Sequence, residues 1–102
     1  MTKSGKDERR KRKRVPFSKN VVMMGIGTGH GSSISVGGLY IETATPLPEG
    51  ATVLLQFRLE DSDENPITVQ ALVMYIHDGI GMGVAFTDLP PEQQKRIERL
   101  IK

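Results

Sequence analysis

Between Lys19 and Phe86 the chain is dominated by short stretches in which apolar residues recur at every second position, the period of a half-buried strand. The clearest runs from Thr52 to Leu59, with Val53, Leu55, Phe57 and Leu59 on one side and Thr52, Gln56 and Arg58 on the other; Leu54 breaks the polar side. Ile67 to His77 repeats the pattern with Val69, Ala71, Val73 and Tyr75 on one face, and the Asp78-Gly79 pair that follows signals a tight hairpin. Gly81 to Phe86 sets Met82, Val84 and Phe86 on one side. Its other side carries only Gly81, Gly83 and Ala85, a surface that another segment can approach closely. Nearer the N-terminus, Lys19 to Ile26 reads as a first strand that is apolar on both faces, through Val21 and Met23 and through Val22, Met24 and Ile26. That pattern predicts burial on both sides, or cover of one side by the C-terminal segment. Ser35 to Thr43 reads as a second strand that turns a corner at Gly37-Gly38 and leaves through Leu39, Tyr40 and Ile41.

The segments between these strands are punctuated by glycine, proline and charge. Gly25, Gly27, Gly29 and Gly31 alternate in a spacing that echoes a phosphate-binding loop, but no helix pattern and no Gly-Lys-Ser/Thr follows. A flexible hairpin end or β-bulge region is the expectation there. Thr45 to Gly50, with two prolines, is a turn. Glu60 to Pro66 is acidic but lacks the calcium-loop register, so it reads as a solvated hairpin tip. At Leu89-Pro90-Pro91 the period changes. Ile97, Leu100 and Ile101 form one apolar stripe, with Glu92 near the start and Lys95, Arg96, Arg99 and Lys102 toward the end, which predicts a helix over 90–101. Five or more antiparallel strands and one terminal helix make a small barrel with a helical lid.

Charge changes this picture at the N-terminus. The net charge of +2 over 102 residues conceals a split. Residues 1–14 hold eight Lys/Arg against Asp7 and Glu8, whereas residues 15–102 hold six against ten acids. The chain therefore divides into a flexible basic arm, 1–14, and a mildly acidic barrel, 15–102, and the arm asks for an anionic partner. Residues 1–8 are expected to be disordered without one. With no cysteine, disulfides, thiolate metal sites and a cysteine nucleophile are excluded. No apolar run approaches the roughly 18 residues of a membrane span, and no apolar region follows the basic run as in a secretory signal, so the expected location is the cytoplasm, without membrane insertion.

Little in the chain suggests catalysis. His30 and His77 have no partners at metal or triad spacing, and the His77-Asp78 pair reads as a local hydrogen bond at a turn. The five methionines sit mostly in strand patterns and read as core filler. The expectation is a binding protein rather than an enzyme, with no resident metal or cofactor. Arginines do recognise planar anionic groups: a guanidinium donates two parallel hydrogen bonds to guanine and stacks on its face. Arg10 and Arg14, four apart, suit two parts of one compact ligand. Only Phe17 lies near the basic run, too few aromatics for a single-strand stacking platform, so no specific nucleic acid is expected.

Arg10-Lys11-Arg12-Lys13-Arg14 fits an RxxxR motif and Ser33-Ile34-Ser35-Val36-Gly37-Gly38 a [D/N]xSxxG motif, and both, in this order, resemble PilZ domains. Arg14 to Phe17, Gly37 to Thr43, Pro46 to Gly50 and Gly81 to Phe86 are similar to the same family, so the resemblance covers about residues 9–101. It implies a six-stranded antiparallel β-barrel followed by a helix, and binding of the bacterial second messenger cyclic di-GMP. On that basis Arg10 and Arg14 would grip guanine and phosphate, with Arg9 an extra donor beside them. Ser35 would hydrogen-bond the ligand and Gly38 would allow close approach at the corner. Ser33 departs from the usual Asp or Asn. A hydroxyl offers a guanine edge one acceptor where a carboxylate offers two, a loss of about 1–3 kcal/mol or ten- to hundredfold in affinity. Closure of the arm over the ligand would signal to an unidentified downstream protein. The alternatives are a PilZ-fold interaction adaptor that no longer binds the dinucleotide, and a charge-driven binder of nucleic acid or membrane surfaces. Ligand stoichiometry, and whether the protein is a monomer or homodimer, stay open.

Overall fold

The structure is a computed structural model and describes residues 13–102. Arg9, Arg10 and the expected disorder of residues 1–8 lie outside the described residues. Six strands, β1 (Val15–Met23), β2 (Gly27–Ile34), β3 (Gly38–Glu42), β4 (Thr52–Phe57), β5 (Ile67–His77) and β6 (Gly81–Phe86), precede one helix, α1 (Pro91–Ile101). The strands close into an antiparallel barrel in the order β1-β2-β3-β6-β5-β4, with β4 returning to β1. Closure removes every sheet edge that would otherwise present unpaired backbone groups.

The interior is filled by the alternating residues. Val21, Ile34, Leu39, Ile41, Leu55, Ile67, Ala71 and Met82 are fully buried, and Val53, Phe57, Val69, Val73 and Val84 nearly so. Phe57 anchors the aromatic part of this core, meeting Phe17 edge-on at 5.7 Å and stacking on Phe86 at 6.1 Å. Each such side chain contributes about 1.5–3 kcal/mol relative to an exposed one.

Several boundaries differ from the sequence reading, each for a tertiary reason. The first strand begins at Val15 rather than Lys19, because Val15 pairs with Ile34 and Pro16 with Ser33. The register then slips before Lys19 pairs with Gly31, and Ser18 takes a positive φ of 58° at that bulge. The glycine stretch holds both expected features: Gly25 sits in the turn that Gly27 closes by pairing with Met23, and the register of β2 against β3 shifts between Gly31 and Ser33. Gly29 and Gly31 also lie in β2 facing inward, where a Cβ would meet Ile41 at 2.5 Å and Phe17 and Val21 at 2.9 Å. The second expected strand splits at the corner, with Ser35 to Gly37 as the turn and β3 starting at Gly38.

In β5 a register shift between Val73 and Tyr75 turns Tyr75 out of the row it was expected to share, and it is 45% exposed; Ile76 takes the inward place beside Met82. The second face of β1 is not covered by the C-terminal segment, and Val22, Met24 and Ile26 are exposed. On this outer wall the residues align in rows across β1, β4 and β5: Val22, Gln56 and Thr68 in one, Met24, Leu54 and Gln70 in the next. Thr52 and Leu72 form a third. Of the methionines, Met23 and Met82 fill the core as expected, whereas Met24 and Met74 are exposed.

Helix α1 starts at paired prolines, with Pro90 extended at the cap and Pro91 in the first turn. Ile97 is fully buried in the barrel's hydrophobic cluster, and Leu100 and Ile101 pack against it. The acidic loop is exposed along most of its length, as expected of a hairpin tip, and Asp63 ties it to the helix. Asp63 accepts hydrogen bonds from the Leu59 and Glu60 N–H groups at 3.1 and 3.2 Å and pairs with Arg96 at 3.2 Å. Arg96 also donates to the Asn65 carbonyl at 2.8 Å, so one side chain joins helix and loop. In the same loop Asp61 pairs with Lys19 of β1 at 2.9 Å, and that hydrogen bond lowers its carboxyl pKa.

Candidate ligand-binding site

A tight connection between β2 and β3 builds the polar corner. Ser35 and Gly38 exchange both backbone hydrogen bonds, at 2.9 and 3.4 Å, around Val36 and Gly37. The Ser35 side chain is buried, with Oγ accepting from the Gly37 N–H at 3.2 Å, an arrangement that leaves its own O–H to donate. Phe86 N–H donates to the Gly37 carbonyl at 2.9 Å and fixes the corner to the end of β6. Gly38 is required by closeness: a Cβ there would overlap the Val84 carbonyl oxygen and lie 3.3 Å from the Ala85 Cα. The space that glycine leaves is taken by the neighbouring strand.

Pairing of β1 with β2 brings the start of β1 beside this corner. Arg14, one residue before the strand, donates from Nη1 to Ser33 Oγ at 3.0 Å, with a longer 3.4 Å approach to the Ser33 carbonyl. Ser33 is therefore a holder of the arginine. Beyond Arg14 lies an open cleft of about 230 Å³, lined by Arg14, Ser35, Gly37 and Gly38 on one side and by Met74, Tyr75, Gly83, Val84 and Ala85 on the other. The bulge in β5 creates this second wall, because it lays the Tyr75 ring over Gly83 where any side chain would collide. The small-residue face of β6 is thus occupied by aromatic rings, Tyr75 over Gly83 and Tyr40 over Gly81.

Those rings belong to a cluster on the outer wall. Tyr40 and Tyr75 are 6.3 Å apart, and His77 lies 5.8 Å from the first and 5.5 Å from the second. Burial, then Tyr75 and Glu42, push the Tyr40 phenol pKa up, so it stays protonated at neutral pH and can donate to His77 Nδ1 at 2.8 Å. The His77 side chain thus bonds across strands, while its backbone carbonyl accepts from the Ile80 N–H at 2.9 Å within the turn.

Four of the residues singled out from the motifs, Arg14, Ser33, Ser35 and Gly38, meet at one corner. Arg9 and Arg10 lie outside the described residues. Alternation alone missed Tyr75 and Met74, since it placed Tyr75 inside; the small residues opposite were the available signal. Among the described residues there is no cluster of His, Asp or Glu fit to hold a metal, and no helix long and apolar enough to cross a membrane.

The PilZ domain family model matches residues 8–102. No curated protein matches the chain. Among solved structures it is similar to the Bacillus subtilis inhibitor of motility (MotI/DgrA), with a TM-score of 0.76 at 18% identity over 86% of this chain and 46% of that one. It is similar also to the PilZ domain of YcgR from Escherichia coli with c-di-GMP, TM-score 0.65 at 17% identity, covering 88% of each chain. A third likeness is to YcgR in complex with c-di-GMP from Escherichia coli, TM-score 0.68 at 15% identity over 86% of this chain and 42% of that one. The chain thus spans less than half the length of the motility inhibitor and of that YcgR chain. At such identities the likeness speaks for the fold, and the match over residues 8–102 speaks for the family: this chain belongs to the PilZ domain family.

Proposed function

We propose that the chain binds cyclic di-GMP at the corner between β2 and β3. The observation that carries this reading is the Arg14 guanidinium held by Ser33 at the mouth of a cleft whose far wall is the Tyr75 ring. At about 230 Å³ the cleft is below the roughly 300–1,000 Å³ of pockets that enclose a drug-sized ligand. It suits one base, with the rest of the dinucleotide lying across the surface. In this reading Tyr75 offers a ring face for stacking, worth about 1–3 kcal/mol per base. Ser35 donates its O–H, and Arg14 turns from Ser33 to the guanine or phosphate. Arg10, with Arg9 beside it, closes from the basic arm of residues 1–14 onto the barrel of residues 15–102 as the ligand's phosphates neutralise it. The closed arm then offers a surface to a downstream protein. The domain works in the cytoplasm as a receptor, without catalysis and without a resident cofactor.

Calorimetric titration of the whole chain with cyclic di-GMP tests this. Saturable binding is expected, weakened about ten- to hundredfold in Arg10→Ala and in Arg14→Ala. Ser33→Asp should hold or raise affinity, because a carboxylate keeps Arg14 in place and adds an acceptor for a guanine edge. No saturation up to about 1 mM ligand would sink the proposal and leave the adaptor that Ser33 favours. Equal affinity for random DNA, with a steep salt dependence, would point to charge alone.

A further inference from the structure

Gly83 stands in the middle of β6, paired with Tyr40 of β3 on one side and with Tyr75 of β5 on the other. A glycine inside a strand weakens it, and this one has no positive φ that would require it. What requires it is the Tyr75 ring. The three heavy atoms nearest to a Cβ built at Gly83 all belong to the outer end of that ring, the phenol oxygen among them at 2.6 Å. An exposed tyrosine on a strand has more than one staggered side-chain position open to it. Here two further rings stand beside it, Tyr40 at 6.3 Å and inclined by 33°, His77 at 5.5 Å and inclined by 54°. Those two are tied to each other by the 2.8 Å hydrogen bond, and Tyr40 is itself seated over Gly81, where a Cβ would lie 2.8 Å from its ring. Tyr75 therefore has a floor and a brace, while it lines the same cleft as Arg14.

We infer that Gly83, Tyr40 and His77 are positioning residues for the ligand, holding the Tyr75 ring in the orientation that receives a base. The inference rests on the reading of the cleft as a base site. A ring always in the competent orientation contributes its full stacking, whereas one that is competent for a fraction of the time binds more weakly by that fraction. Two or three comparably populated side-chain positions thus lower affinity about two- to threefold. A ring shut out of its place loses the stacking altogether, about tenfold or more. A ring that only covered the glycine would stabilise the sheet and leave the ligand's affinity untouched.

Calorimetric titration of the whole chain with cyclic di-GMP, run as a double-mutant cycle on Tyr75, tests this. The methyl of Gly83→Ala meets only the end of a side chain that is 45% exposed and free to swing outward, and thermal unfolding checks that the variant stays folded. Tyr75→Ala should weaken binding about tenfold, Gly83→Ala by a similar factor and His77→Ala about two- to threefold. Tyr40→Phe keeps the ring and removes only the hydrogen bond to His77, so its loss should not exceed that of His77→Ala. In the Tyr75→Ala background, Gly83→Ala and His77→Ala should add little, because both act through that ring. Without ligand, the nuclear Overhauser contact between the Tyr75 ring and Gly83 should be present in the wild type and reduced in His77→Ala. Losses that persist in the Tyr75→Ala background would mean that the methyl narrows the cleft itself, or that His77 touches the ligand. A lowered unfolding temperature with unchanged affinity would mean cover alone, and an indifferent Tyr75→Ala would mean that the base does not meet this ring. Each of these overturns the inference while the chain still binds the dinucleotide. A wild-type chain that does not bind would remove the base site, and the inference with it.

Discussion

Gly38 lies in a strand with no unusual torsion, and its importance is a matter of distance. It pairs with Ala85, and the Val84 carbonyl fills the volume where a Cβ would stand. Gly38→Ala should therefore destabilise the barrel by about 2–3 kcal/mol or more, read as a fall in the denaturation midpoint. Gly50, whose φ is +85° and whose surroundings are open, gives a contrast in which backbone strain alone acts. A loss at Gly38 no larger than that of Gly50→Ala would remove the packing argument. The Ser-x-x-Gly spacing was legible in the sequence, but the reason for the glycine was not, because Val84 and Ala85 come from a strand more than forty residues away.

At the scale of elements, the acidic loop and the helix are one unit. Asp63 and Arg96 are both about three-quarters buried, and Asp63 also caps two backbone N–H groups. Removing the carboxylate leaves a partly buried guanidinium and two amides without their acceptor. Asp63→Ala should cost about 1.5–3 kcal/mol and speed hydrogen exchange at Leu59 and Glu60. Asp61 of the same loop, whose side chain is 96% exposed, pairs with Lys19 of β1, and Asp61→Ala should leave the unfolding temperature unchanged. Its lowered pKa means that whatever the pair contributes is present above the ordinary carboxylate pKa and is lost as pH falls through the depressed one. A comparable loss in both variants would argue against the distinction. The sequence showed an acidic run and a basic helix end but could not say which acid meets which base.

Over the whole molecule, closure makes the barrel and helix cooperative. Ile97 lies in the same buried cluster as the strand residues, so the helix plugs the core. Ile97→Ala should cost about 2–5 kcal/mol and shift a single unfolding transition, followed by circular dichroism, to lower temperature. A separate early loss of helix signal would show instead that α1 docks as an independent piece.

The sequence by itself determined the run of strands β4 to β6, the helix, the asymmetric charge and the ordered motifs, because alternation, proline placement and motif spacing are local properties of the chain. Tertiary structure alone decided that Tyr75 faces the cleft, that Gly29, Gly31 and Gly38 make room for neighbouring strands, that Asp63 belongs to Arg96, and that Val22 and Met24 stay uncovered. Each of these depends on register and closure between segments far apart in sequence, and a single bulge of one residue is enough to move a side chain from the core to the site.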